Sequence, residues 1–166
     1  MPELDRFRRA QEAPGSGFDA ALREIRSGRK RGHWIWYIFP QLAGLGFSAM
    51  SQAFAIADRQ EAIDYLRDPV LRDRLLTITR AVAEQLDAGT PLARVMGSGI
   101  DAKKLVSSLT LFGAVARDLL RNDPDADKTL QQLAAVADDV LARAEAQGYP
   151  PCEYTRRALG SEGQTS

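Results

Sequence analysis

Residues 28–46, GRKRGHWIWYIFPQLAGLG, decide the fold class, because Arg31 to Phe39 is the one run of this chain rich enough in β-forming residues to read as a strand. One strand has nothing to pair with and cannot make a sheet. No other stretch alternates between apolar and polar residues, and elsewhere the apolar residues recur at helical spacing. The expected fold is therefore all-α, a single compact irregular or orthogonal bundle of about six to eight helices.

Upstream, Leu4, Phe7, Arg8 and Gln11 share a helical spacing that Pro14-Gly15-Ser16-Gly17 breaks, and Phe18, Ala21, Leu22 and Ile25 form the next stripe. Downstream, Pro40 disfavours helix at Phe39, and Gly44 and Gly46 loosen the chain. Ser48 or Ser51 can cap a helix that holds Phe54, Ala55 and Ile56. Arg59 to Arg67 reads as another helix, before Asp68-Pro69 supplies a carboxylate cap and a proline suited to a first helical position. From there positions 71, 75, 78, 82 and 86 run along one face to Gly89. Thr90-Pro91 restarts a short helix, LARVM, which Gly97-Ser98-Gly99 interrupts. Asp101 opens a helix with Leu105, Leu109, Phe112 and Ala116 inward, and residues 125–147 form a long Ala-rich one. Residues 1–150 read as one domain and 151–166 as a flexible tail.

With 166 residues, 45% hydrophobic and 27% charged, the chain has the size and composition of one globular domain rather than a disordered segment. Its 22 basic and 22 acidic residues cancel, so no overall field holds it on nucleic acid or anionic lipid. No apolar run is long enough to span a bilayer, and MPELDRFRRAQEA is too charged for a signal peptide. A cytoplasmic location without a membrane partner is expected. Cys152 stands alone, so it has no partner for an internal disulfide and no thiolate set for zinc. Carboxylates interleave the basic runs at Arg6-Arg8-Arg9 and Arg29-Lys30-Arg31, and no helix-turn-helix, RNP or zinc pattern accompanies them. Nucleic acid, metal and cofactor are therefore not expected.

The aromatic segment carries both tryptophans and a third of the chain's aromatic residues. Extended, Trp34 and Trp36 would share a face; helical, Trp34 would stack with Ile38 and Ile35 with Phe39. One reading is a core corner built from large rings. The other is a stacking platform, in which Trp34 and Trp36 accept a flat ring, Arg29, Lys30 or Arg31 neutralises an attached phosphate, and His33 acts as acid or base. Gln41 either reads an amide or base edge or stabilises the turn.

A second block, Gly97-Ser98-Gly99-Ile100-Asp101-Ala102-Lys103-Lys104, places glycines before a helix, where free N–H groups and the helix dipole favour an anion. Lys103, Ser107 and Thr110 form one polar stripe, with Lys104 and Ser108 beside it. Such a stripe suits a phosphate or ribose, with Ser98 adding a hydroxyl. The alternative is a helix cap, with Asp101 as capping residue, and a solvated face. The spacing is not that of a P-loop.

LDRFRRAQ, FDAALREIRSGRKRGHWIWYIFPQLAGLG, AIADRQEAIDYLRDPVLRDRL and KKLVSSLTLF together resemble the DUF1810 family, small bacterial and fungal proteins of unassigned function described as mainly α-helical. The likeness runs from about Leu4 to Phe112. Its most specific piece is the aromatic segment, in which the family usually has serine where Gly32 stands here. The family's second block commonly reads GSPDDLKLRSSMTLF, against GSGIDAKKLVSSLTLF in this chain, so the proline is missing and Ile100 stands at the first acidic position. The Ala-rich helix also departs from the family's usual C-terminal third. The resemblance implies the fold and the place of a site: two polar-rich blocks, distant in sequence, that meet in space.

The function expected is binding, with hydrolysis or transfer as an option, of a phosphorylated small molecule of nucleotide or ADP-ribose type. Trp34 and Trp36 would stack, Arg29, Arg31, Lys103 and Lys104 would pair with charge, and Gln41, Ser98, Ser107 and Ser108 would form hydrogen bonds. His33 and Asp101 are the acid–base candidates. The alternative is a non-catalytic protein-interaction module whose aromatic segment is core or interface.

Overall fold

The computed structural model describes residues 2–164. Among these residues are ten helices: α1 (Pro2–Glu12), α2 (Phe18–Arg26), α3 (Ile35–Ile38), α4 (Ala49–Ala53), α5 (Arg59–Arg67), α6 (Pro69–Asp87), α7 (Leu92–Val95), α8 (Gly99–Asn122), α9 (Lys128–Ala146) and α10 (Glu153–Gln164). The fold is all-α, as expected. The count exceeds six to eight because α3, α4 and α7 are each little more than one turn.

The bundle is built around α8. Every residue from Leu105 to Gly113 is buried, so the middle of this helix is enclosed on all sides rather than on one stripe. α9 lies along both α8 and α6, with Leu130, Leu133, Ala137 and Val140 turned inward. Leu71, Leu75, Ile78, Val82 and Leu86 of α6 are all buried, matching the sequence periodicity. Asp68 caps α6 through its Oδ1, which accepts from the N–H groups of Val70 (3.0 Å) and Leu71 (3.1 Å), with Pro69 at the first helical position.

The run from Arg31 to Phe39, which the sequence leaves open between extended and helical, is helical at its end: the Ile38 and Phe39 amides donate to the carbonyls of Trp34 (3.1 Å) and Ile35 (3.0 Å), closing one helical turn. Packing of four large side chains against α1 and α8 overrides their β preference. Most of the segment that reads as a tail in sequence is α10 (Glu153–Gln164). α10 carries buried Thr155 and Leu159, and the Cys152 amide donates to Thr110 Oγ1 of α8 at 3.1 Å. Residues 165–166 lie outside the described residues.

Between α3 and α5 the chain makes one parallel bridge, Leu42 to Ile56, with Ile56 N–H donating to the Gln41 carbonyl and Ala43 N–H to the Ile56 carbonyl, both at 2.8 Å. This bridge ties off a loop that carries α4. Arg6 of α1 anchors the loop's end by donating to the carbonyls of Ala53 (3.0 Å) and Ala55 (2.7 Å) while pairing with Glu61 at 2.7 Å. Two of the three basic residues of α1 are thus used internally, since Arg8 also pairs with Asp5 and Asp68, while Arg9 is exposed.

Candidate functional site

Glu24 organises the entry to the aromatic segment. Its Oε1 accepts from the amides of Arg31 (2.7 Å) and Gly32 (2.8 Å) and from the Trp34 indole N–H (3.0 Å). Burial opposes ionisation of this carboxyl, but the donors from Gly32, Arg31 and Trp34, together with the charge of Lys30, outweigh it and hold its pKa below the usual value. Trp34 is thereby locked into the core at 1% exposure.

Lys30 joins this segment to the second block. Its amide donates to the Val95 carbonyl at 2.8 Å, and its ammonium, almost fully buried, lies 2.8 Å from Asp101 Oδ2 and 4.9 Å from the centre of the Trp34 ring. Close approach requires Gly97: it has φ +81°, and a Cβ there would sit 2.8 Å from the Lys30 carbonyl oxygen. Asp101 also receives Lys104 at 3.3 Å. Ser98 caps α8, its Oγ accepting from the Asp101 amide at 3.1 Å.

Beyond this junction opens a cavity of about 720 Å³. One wall is a single face of α8, where Ile100, Lys103, Lys104 and Ser107 fall at successive helical turns. The opposite wall is the loop from Gln41 to Phe47 with Ser48, Ser51 and Gln52. Trp36 and Phe54 line it from the aromatic side, and Cys152 closes it from the approach to α10. The lining is mostly apolar, and among the described residues it includes both lysines and no carboxylate. Lys104 Nζ sits 4.0 Å from the centre of a Trp36 ring, a cation–π contact that leaves the charge close to the cavity. Lys103 is exposed and has no ion-pair partner among the described residues. Ser107 is 4% exposed, and its hydroxyl has no hydrogen-bond partner there; the fully buried Ser108 hydroxyl is likewise unpartnered.

The loop wall is held by α10. Tyr154 Oη donates to the Ala43 carbonyl at 2.7 Å, and a Cβ on Gly44, whose φ is +101°, would lie only 2.1 Å from that oxygen. Only glycine fits under the tyrosine.

The structure therefore brings Trp36, Gln41, Lys103, Lys104 and Ser107 to one cavity. The other expected residues are off its lining. Trp34 is interior, so the stacking role expected of it is corrected: its ring has no open face and its N–H is used by Glu24. Arg29, Arg31 and His33 are exposed on the chain leading into the turn. Asp101 is engaged by two lysines, Ser98 serves as a cap, and Ser108 is buried beside Ser107 without reaching the cavity. Sequence reasoning missed the loop wall and Cys152. The signal available was the pair of glycines around Leu45 and ahead of Phe47, which leaves large apolar side chains in a loop, Phe47 at 91% exposure. Among the described residues no group of three or more His, Cys, Asp or Glu side chains could hold a metal ion, and no helix is long and apolar enough to cross a membrane.

A sequence model of the family described as "Protein of unknown function (DUF1810)" matches residues 1–139. Among solved structures, the conserved hypothetical protein Rv1873 from Mycobacterium tuberculosis is similar at 32% identity with a TM-score of 0.70, over 95% of this chain and 94% of that one. Among curated proteins none matches the chain.

Proposed function

We propose that this chain, which belongs to the DUF1810 family, binds a small phosphorylated molecule with a flat ring, of nucleotide type, in the cavity between α8 and the α4 loop. One observation carries the reading: a single face of α8 presents Lys103, Lys104 and the unpartnered Ser107 hydroxyl to a mostly apolar chamber that also contains the Trp36 indole. A buried hydroxyl without a partner costs free energy in the empty protein, and a ligand that hydrogen-bonds to it recovers that cost. The lysines favour an anion, Trp36 and the apolar walls favour a ring, and the volume lies within the usual range for small-molecule sites. The reading is one of binding; the acid–base pair first expected, His33 and Asp101, is not on the lining.

Differential scanning fluorimetry with AMP, GMP and CMP tests it. A ligand that prefers the folded state raises the melting temperature by mass action, and Lys103→Gln with Lys104→Gln should remove the rise. No rise with any nucleotide at millimolar concentration would refute it. The second reading, a protein-interaction module, draws on the exposed Leu45, Phe47, Met50 and Ile100 around this region. It predicts no nucleotide effect and a concentration-dependent self-association, seen by sedimentation, that Phe47→Ser abolishes.

A further inference from the structure

A second, smaller chamber of about 220 Å³ adjoins the first, and Lys103 and Cys152 line both. Its remaining walls are Val106, Tyr149 and Pro150, so apart from the shared lysine it is apolar. The wall is set in place by the end of α9: Gly148 adopts φ +93°, and the Tyr149 amide donates back to the Ala144 carbonyl at 2.9 Å. Gly99 in the first turn of α8 makes room for the tyrosine, since a Cβ there would lie 3.0 Å from its hydroxyl.

Two chambers of unequal size thus share Lys103, whose ammonium has no carboxylate partner among the described residues. We infer that the ligand is bipartite: a nucleoside in the larger chamber, a single sugar or aromatic ring in the smaller, and a diphosphate linker crossing Lys103. This is the nucleoside diphosphate ester class, to which the nucleoside diphosphate sugars belong, and the inference rests on the nucleotide reading of the larger cavity. A mononucleotide fills the first chamber and leaves the second to water. Adding the distal ring buries apolar wall at Val106, Tyr149 and Pro150 and strengthens binding about tenfold.

Calorimetric titration of AMP, ADP and ADP-ribose into the wild-type protein tests the distal ring, because ADP lacks it and its free terminal phosphate carries one more negative charge, which at a lysine favours ADP, so tighter binding of ADP-ribose comes from the ring. ADP-ribose is expected to bind about tenfold more tightly than ADP. Tyr149→Ala, which removes a wall of the small chamber, should bring ADP-ribose down to the ADP level and leave AMP unchanged; Val106→Trp, which fills that chamber, should do the same. Equal affinity for ADP and ADP-ribose, or an equal loss of AMP binding in both variants, overturns the bipartite ligand while the nucleotide reading stands. If none of the three compounds binds, both fall together.

Discussion

Lys30 and Asp101 form an ion pair of 2.8 Å that docks the aromatic segment onto the first turn of α8, and it is the contact through which two stretches distant in sequence become neighbours. Their side chains are 6% and 18% exposed, so removing Asp101 strands a poorly solvated ammonium, and removing Lys30 leaves Asp101 only its longer contact to Lys104. Asp101→Ala and Lys30→Ala should each destabilise the protein by about 2–3 kcal/mol, somewhat below the range for a fully buried pair. The double variant should cost clearly less than the sum, because each single change already breaks the same interaction. Urea unfolding of all four proteins checks this, and strict additivity would show that the pair is not a coupled one.

Glu24 gives the fold an acid-sensitive joint. Its folded pKa lies below the ordinary 4.5, so its contribution to stability is complete above that value and is lost as pH falls through the lower folded pKa. Glu24→Gln should therefore lose about 1–2 kcal/mol at pH 7, with the gap from wild type closing as the pH is taken down towards 3. Urea midpoints measured across that range are the readout. A gap that stays constant would place the stabilisation in packing rather than charge.

Ser107 and Ser108 should separate stability from binding. Each buried hydroxyl lacks a partner, so Ser107→Ala and Ser108→Ala are both expected to stabilise the free protein by up to about 1 kcal/mol. Only Ser107 lines the cavity, so only Ser107→Ala should weaken nucleotide binding. Melting temperatures with and without AMP check the pair; a matched effect of both variants on binding would contradict the geometry.

Gly44→Ala tests whether α10 supports the cavity wall. The added methyl meets the Tyr154 hydroxyl and forces a left-handed backbone on alanine, together costing about 1–3 kcal/mol. Amide exchange should quicken at the start of α10, and adding Tyr154→Phe should restore part of the loss by removing the clashing oxygen. Unchanged exchange there would mean that the loop and helix are not mechanically joined.

What the sequence revealed depended on how local the cause was. Asp68-Pro69 marked a helix start because cap and proline act within one turn, and the α6 stripe was legible because one face alone meets the core. The fate of Trp34 and Trp36 was not legible, since one turn of helix sends Trp34 to the interior while Trp36 reaches the cavity, and that turn exists only through contacts with α1 and α8. Ser107, Ser108 and Thr110 read as a polar face, either binding or solvated, yet they are buried because α8 is covered on every side from Leu105 to Gly113. No periodicity reveals that. The meeting of the two blocks came from family resemblance alone, and Lys30, the residue that makes it, was one of three interchangeable cations in sequence.

The most direct test of the account is a titration of AMP followed by tryptophan fluorescence. Trp36 lines the cavity and Trp34 is sealed in the core, so a bound ring should quench a saturable part of the emission that is absent in Trp36→Leu. Lys103→Gln should weaken the titration about tenfold at low salt, and His33→Ala should leave it unchanged. A signal that never saturates in the wild-type protein, or one that survives Trp36→Leu intact and vanishes in His33→Ala, would contradict a nucleotide site on this face of α8.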